Sequence, residues 1–259
     1  MTIMGRLDQR ICIITGATGG IGEASARRFV QEGARVVLVD LDEAKLRSVA
    51  DDLGGAAVAA YVAGDVSVLE TSTRAVATAV ERFGGLDVMF ANAGTEGRVC
   101  PLTEYPLEAF DQIMNVNVRG AYFAIRAAAP AIARRGRGAI LVTSSVAGFI
   151  GSRGLGPYCA SKHAVMGLVK SAAIELAPSN IRVVAVNPGP IENRMMRSIE
   201  EQAAPGAAAT VKSGFETMVP MHRYGTNDEI ANLALFLASD EASYCTGTSF
   251  VADGGFLAM

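Results

Sequence analysis

Tryptophan is absent from this 259-residue chain, histidine occurs only twice, and the four cysteines stand far apart. Cys12, Cys100, Cys159 and Cys245 form no CxxC pair, and His163 and His222 are too few to complete a ligand set, so no metal site is expected. None is needed for stability, because a chain this long buries roughly three quarters of its extended surface on folding. Long basic runs are also missing: Lys and Arg total 23 against 26 Asp and Glu, and no basic stretch exceeds Arg134, Arg135 and Arg137. A formal charge of -3 without such a patch excludes nucleic acid as the expected partner. Apolar runs are short as well. Ile11 to Ile14 falls far below the roughly 18 residues of a membrane span, and Arg6, Asp8 and Arg10 interrupt the apolar residues around it. These absences predict a soluble, cytoplasmic protein with neither membrane nor nucleic acid as partner.

What is present is a globular composition, with 50% hydrophobic and 19% charged residues, and a repeating alternation of short β-branched runs with helical periodicity. The strand candidates are Arg10–Thr15, Arg35–Asp40, Ala57–Asp65, Leu86–Ala91, Ala139–Ser144, Ile181–Asn187 and Ser249–Ala252. Helical spacing covers Ile21–Glu32, Glu43–Leu53, Leu69–Phe83, Leu107–Arg134, Tyr158–Leu176 and Glu229–Leu237. Strands that read as continuous apolar runs need helices on both faces. The pattern therefore predicts an α/β fold, a single Rossmann-type doubly wound parallel sheet of about seven strands flanked by helices. No linker or repeat divides residues 1–259, so one domain is expected. The stretch from Pro188 to about Arg223 has no evident periodicity, and a lid over a binding site is expected at about 190–223.

The first strand runs into Thr15-Gly16-Ala17-Thr18-Gly19-Gly20-Ile21-Gly22 and then directly into a helix. Glycines let the backbone turn tightly and approach a pyrophosphate, whose charge the free N-H groups at the helix start attract. The second strand ends at Asp40, 18 residues beyond Gly22, where an acidic residue accepts hydrogen bonds from an adenosine ribose. A 2'-phosphate there would meet a like charge, and neither Gly19 nor Leu41 supplies a compensating arginine, so NAD is the expected cofactor. Asp65-Val66 and Asn92-Ala93-Gly94 lie at two further strand ends, positioned for the adenine and a ribose; each also reads as a simple turn.

Tyr158 and Lys162 are four apart in an expected helix and share a face. An ammonium beside a phenol favours the phenolate, which predicts a lowered tyrosine pKa and proton exchange with an alcohol. Ser145 follows a strand at the same sheet edge, where its hydroxyl would hold a substrate oxygen; Ser144 competes for that role.

Taken together in order and spacing, these motifs make the chain resemble the short-chain dehydrogenase/reductase family over essentially its whole length. The family's glycine motif matches Thr15 to Gly22, its Asn-Ala-Gly element Asn92 to Gly94, and its Ser-Tyr-Lys set Ser145, Tyr158 and Lys162, where a spacing of 13 favours Ser145 over Ser144. The resemblance implies that Asn117 completes a catalytic tetrad and holds a water connecting Lys162 to solvent, with Asn115 close enough to keep in view. It implies a cofactor site of Gly16, Thr18, Gly19, Gly20, Ile21, Gly22, Asp40, Leu41, Asp65, Val66, Asn92, Ala93, Gly94, Tyr158, Lys162, Pro188, Gly189, Ile191 and Asn193. There are departures: Ala91 opens the element usually written Asn-Asn-Ala-Gly, and Asn193 stands where a threonine is usual.

The implied activity is NAD-dependent hydride transfer to or from a hydrophobic or cyclic secondary alcohol or ketone, in a homotetramer or homodimer. The alternatives are a 3-oxoacyl thioester reductase and a catalytically silent NAD-binding regulator. Ser145, Ala147, Phe149, Ile150, Tyr158, Met195 and Met196 are the expected substrate residues, with Val99, Leu155, Phe215 and Met218 as further candidate walls. Glu96, Arg98, Arg153 and His222 are the few polar groups available to read a substrate's functional group, with the solvated surface as the expected place of each; His163 is expected in a structural role and Cys159 as an inert filler.

Overall fold

A computed structural model describes residues 5–258; residues 1–4 and 259 of the expected single domain lie outside the described part. In chain order the elements are β1 (Ile11–Thr15), α1 (Gly20–Gln31), β2 (Arg35–Asp40), α2 (Glu43–Asp52), β3 (Ala59–Ala63), α3 (Leu69–Phe83) and β4 (Val88–Ala91). They continue as α4 (Leu107–Met114), α5 (Gly120–Arg134), β5 (Gly138–Thr143), α6 (Gly156–Leu176), β6 (Ile181–Pro188), α7 (Arg194–Ala203), α8 (Ala208–Met218), α9 (Asn227–Ala238) and β7 (Ser249–Ala252).

The seven strands form one parallel sheet in the order β3-β2-β1-β4-β5-β6-β7, as the alternating pattern predicts. Successive residues feed opposite faces. Ile13, Val37, Met89, Ile140 and Val183 pack with α3, α5 and α6, while Ile14, Leu38, Phe90, Leu141 and Val184 pack with α1, α2 and α9. The chain turns back at β1, beside which β4 lies opposite β2, so the carboxyl ends of β1 and β4 open a crevice where ligands of such sheets bind.

The helix expected over Leu107–Arg134 is present without a break, α4 passing into α5 through a widened π turn at Asn115–Arg119. Gly120 follows that turn, and a Cβ there would stand 3.0 Å from Val66 Cγ2, so the chain passes close to the loop after β3. The stretch from Pro188 to Arg223 is not irregular but contains α7 and α8. The Asn193 side chain begins α7 by accepting from the amides of Met195 and Met196 at 3.0 and 3.3 Å, and Gly206, at φ +74°, separates the two helices.

One hydrogen-bonded knot fixes the edge of the crevice. Thr15 Oγ1 accepts from the amides of Asn92 and Ala93, both at 3.0 Å. The Asn92 side chain donates to Thr15 O at 3.1 Å and accepts from Thr143 Oγ1 at 3.0 Å, so three strand ends share one register. Thr15→Val keeps the shape and removes the acceptor, leaving the Ala93 amide unpaired while the Asn92 amide keeps Phe90 O at 3.0 Å. Unfolding in denaturant should show a loss of about 1–3 kcal/mol, the cost of an unsatisfied buried donor; an unchanged midpoint would contradict this role.

Candidate active site

The glycine loop is built by backbone contact. Gly16 sits at φ +65°, and a Cβ on it would lie 2.9 Å from Ala93 Cα; a Cβ on Gly22 would strike Gly16 O at 2.1 Å. Gly19 precedes α1 with no side chain capping the helix start, which suits an incoming phosphate. Thr18 is turned toward β2, where its amide and hydroxyl donate to Asp40 Oδ2 at 2.9 and 2.7 Å. Asp40 Oδ1 accepts from the Leu41 amide at 2.7 Å. The carboxylate thus locks the loop while facing a segment without lysine or arginine between Thr15 and Gly22.

Farther along the edge, Asp65 is exposed and its Oδ1 accepts from the Ser67 amide at 2.8 Å, beside buried Val66. Gly94 marks where the cofactor side meets the proton-transfer side: a Cβ there would lie 3.2 Å from Asn117 Oδ1 and 3.4 Å from Lys162 Nζ. Pro188 ends β6, Gly189 donates to Ala252 O at 3.0 Å, and buried Ile191 bridges to Gly225. Asn193 spends its carbonyl oxygen on α7, leaving its amide N-H groups as the donors for a ligand. The expected cofactor residues therefore line one continuous edge whose close backbone approaches fit a dinucleotide.

Tyr158 and Lys162, on the first turns of α6, are both buried. Lys162 Nζ donates to Thr143 O at 2.9 Å and lies 5.6 Å from the Tyr158 ring centroid. Ser145 Oγ accepts from the Ala147 amide at 3.1 Å, and its hydroxyl lies near enough to the Tyr158 phenol to favour the phenolate. Ser144 is 1% exposed and its hydroxyl donates to Lys162 O at 3.0 Å. Asn117, within the π turn, is the buried member of its pair. Its Nδ2 donates to Thr95 O and Ser161 Oγ, both at 3.0 Å, and its Oδ1 accepts from the Thr95 amide at 2.8 Å. Asn115 is not brought to these groups to the same depth, being only half-buried.

The expected lowering of the Tyr158 pKa is not what this environment does. Burial dominates and raises the phenol to about 12, against the lowering pull of the Ser145 hydroxyl; Cys159 and Glu96 push further upward. The same burial lowers Lys162 to about 8, weakening the ammonium that the sequence argument relied on.

Around Tyr158, Ala147, Leu155, Cys159, Ile113 and Ile199 form an apolar cluster, with Met195, Met196, Val99, Met114 and Phe215 packed on it. Phe149 and Ile150 stand outside it and are 44% and 38% exposed, and Met218 is exposed too. Arg98, Arg153 and His222 lie on the surface as expected, whereas Glu96 is buried, a correction taken up below. His163 Nδ1 donates to Cys159 O at 2.9 Å, a local helix contact, and burial raises the Cys159 thiol. Thr95, Thr143 and Ser161 were not foreseen, because a loop threonine or helix serine carries no spacing signal of its own.

Residues 16–257 match the family model described as Enoyl-(Acyl carrier protein) reductase. The chain is 37% identical over 252 residues to Dehydrogenase/reductase SDR family member 4 of Bos taurus, covering 97% of this chain and 88% of that protein. It is 38% identical over 257 residues to 3-alpha-(or 20-beta)-hydroxysteroid dehydrogenase of Mycobacterium tuberculosis, covering 98% and 92%. The crystal structure of levodione reductase is similar at a TM-score of 0.94 and 32% identity, covering 97% of this chain and 99% of that one. With the glycine loop, the sheet order and these matches in agreement, the chain belongs to the short-chain dehydrogenase/reductase family of nicotinamide-dependent oxidoreductases.

Proposed function

We propose that this protein interconverts hydrophobic or cyclic secondary alcohols and ketones with NAD, and that Tyr158 moves the proton on the reacting oxygen. The carrying observation is a buried phenol with a buried lysine amine 5.6 Å from its ring centroid, set in an apolar cluster at the carboxyl edge of the sheet. The hydroxysteroid dehydrogenase relative bears an alcohol-oxidising name on a ring-system substrate, which supports the substrate class. A bound nicotinamide supplies or accepts the hydride at the substrate carbon. In this assignment Gly16, Thr18, Gly19, Gly20, Ile21 and Gly22 hold the pyrophosphate, Asp40 and Leu41 the adenosine ribose, and Asp65 and Val66 the adenine. Asn92, Ala93 and Gly94 pass beneath the ribose of the reactive end, and Pro188, Gly189, Ile191 and Asn193 line the nicotinamide.

At neutral pH a phenol raised to about 12 carries its proton, so Tyr158 donates to the oxygen of a ketone as it becomes an alkoxide. Ser145 donates a second hydrogen bond to that oxygen. Lys162, with a pKa near 8, supplies positive charge to the phenolate left behind and returns to its Thr143 contact. Alcohol oxidation needs the deprotonated phenol and is expected to rise with pH, while reduction is favoured near neutrality. Ala147, Met195 and Met196 wall the substrate, with Phe149 and Ile150 at its mouth. Exposed Leu107, Phe110 and Tyr122 on α4 and α5, with Ile174 on α6, support a homodimer or homotetramer. Among the described residues no helix is long and apolar enough to cross a membrane, which accords with a cytoplasmic location.

Three outcomes follow. Over a panel of cyclic ketones and 3-oxoacyl thioesters, NADH absorbance should report ketone reduction, and Tyr158→Phe should lower kcat by about 10²–10⁴-fold, the worth of a general acid, with NADH affinity retained. Preference for thioesters, or binding without turnover, would favour one of the alternatives. NADH should outperform NADPH, and Asp40→Ser should narrow the ratio of their kcat/KM values by about 10²-fold, since like charges at a site cost a few kcal/mol. That variant also frees Thr18, so NADH efficiency should fall with it.

The third outcome concerns stability. Because burial lowers Lys162 from 10.5 to about 8, the unfolded chain holds the extra proton between those values and the folded state gains stability as pH rises through that window. Below about 8 both states carry the charge and the burial penalty is complete. The unfolding free energy of wild type relative to Lys162→Met should rise by about 1 kcal/mol per pH unit between pH 8 and 10; a flat difference would overturn it.

A further inference from the structure

We propose that Glu96 and Arg194 are positioning residues that latch the helix α7 onto the loop after β4. The consequence for ketone KM rests on the reaction proposed above; the latch itself does not.

Glu96 is 5% exposed, an unusual depth for a carboxylate in a loop. Its two oxygens face the two terminal nitrogens of Arg194 at 3.3 and 3.5 Å, a fork that matches guanidinium geometry. Arg194 is the first residue of α7, and its side chain is largely exposed. An exposed pair would contribute little, but here one partner is buried and stands to lose its cation if α7 swings away, which makes opening costly.

The same loop and helix meet again at the other end of α7. Gln202 accepts from the Val99 amide at 3.2 Å and donates to Gly97 O at 3.4 Å. On the far side of α7, buried Glu200 accepts from the Tyr224 hydroxyl at 2.8 Å. Ile199, Met195 and Met196 are thereby pressed into the cluster around Tyr158. The helix that walls the substrate space is therefore held by a charge pair accessible to solvent on one side only.

The test uses the full-length protein as wild type, Glu96→Gln, Arg194→Met and Arg194→Lys. Hydrogen exchange of the α7 amides, read by mass spectrometry, should speed up by about tenfold in Glu96→Gln and Arg194→Met and by less in Arg194→Lys, which keeps the charge without the fork. Ketone KM should rise in step with exchange while NADH affinity holds. Unchanged α7 exchange in both charge-removing variants overturns the latch whether or not the enzyme turns over the panel. A wild type inactive on every ketone counts against the assigned reaction alone, because the exchange measurement still decides the latch.

Discussion

Desolvation at the carboxyl edge of the sheet is the constraint on which the chemistry depends. Placing a phenol and an amine together inside an apolar wall penalises both charged forms, so the pair is driven toward neutral phenol and a readily deprotonated lysine. Such a pair persists only if its hydrogen bonds are supplied by the scaffold. Thr143 does this twice, giving its carbonyl to Lys162 Nζ and its hydroxyl to Asn92. Ser144 fastens the Lys162 backbone to the same strand end. The knot that registers β1, β4 and β5 is thus continuous with the proton-transfer residues, and the crevice geometry reaches the chemistry through ordinary hydrogen bonds.

Much of this was legible in the residue order, and the reasons are local. Continuous β-branched runs such as Ile11–Thr15 and Val36–Val39 encode strands buried on both faces, which forces helices onto both sides and a parallel order. Gly16 and Gly22 are legible because no other residue tolerates the backbone approaches found there. Tyr158, Lys162 and Ser145 were legible as a spacing. Their electrostatics were not, since a four-residue separation says that two side chains share a face and says nothing of how much water they keep. The sign of the tyrosine shift is decided by burial, a tertiary quantity.

The segment expected to form a lid was the least legible part. Arg194–Ala203 and Ala208–Met218 are short helices whose apolar residues are interrupted by charges, and the first starts on one cap, Asn193, rather than on a long periodic run. Glu96 was misplaced for a related reason: an acidic residue between threonine and glycine reads as a solvated turn until its partner, 98 residues away, is known. Long-range pairing, not composition, put it in the interior. Phe149 and Ile150 show the converse, apolar side chains that the fold leaves partly exposed and outside the cluster around Tyr158.

If burial sets the protonation of the pair, the most direct measurement is a titration of the two groups themselves, by carbon-13 NMR of protein labelled at tyrosine Cζ and lysine Cε, with Tyr158→Phe and Lys162→Met for assignment. Desolvation control predicts a Lys162 midpoint near 8 and a Tyr158 resonance that stays that of the neutral phenol through pH 10. A Tyr158 phenolate forming below pH 10, with Lys162 still fully protonated, would show that charge pairing rather than burial governs the site and would contradict the account.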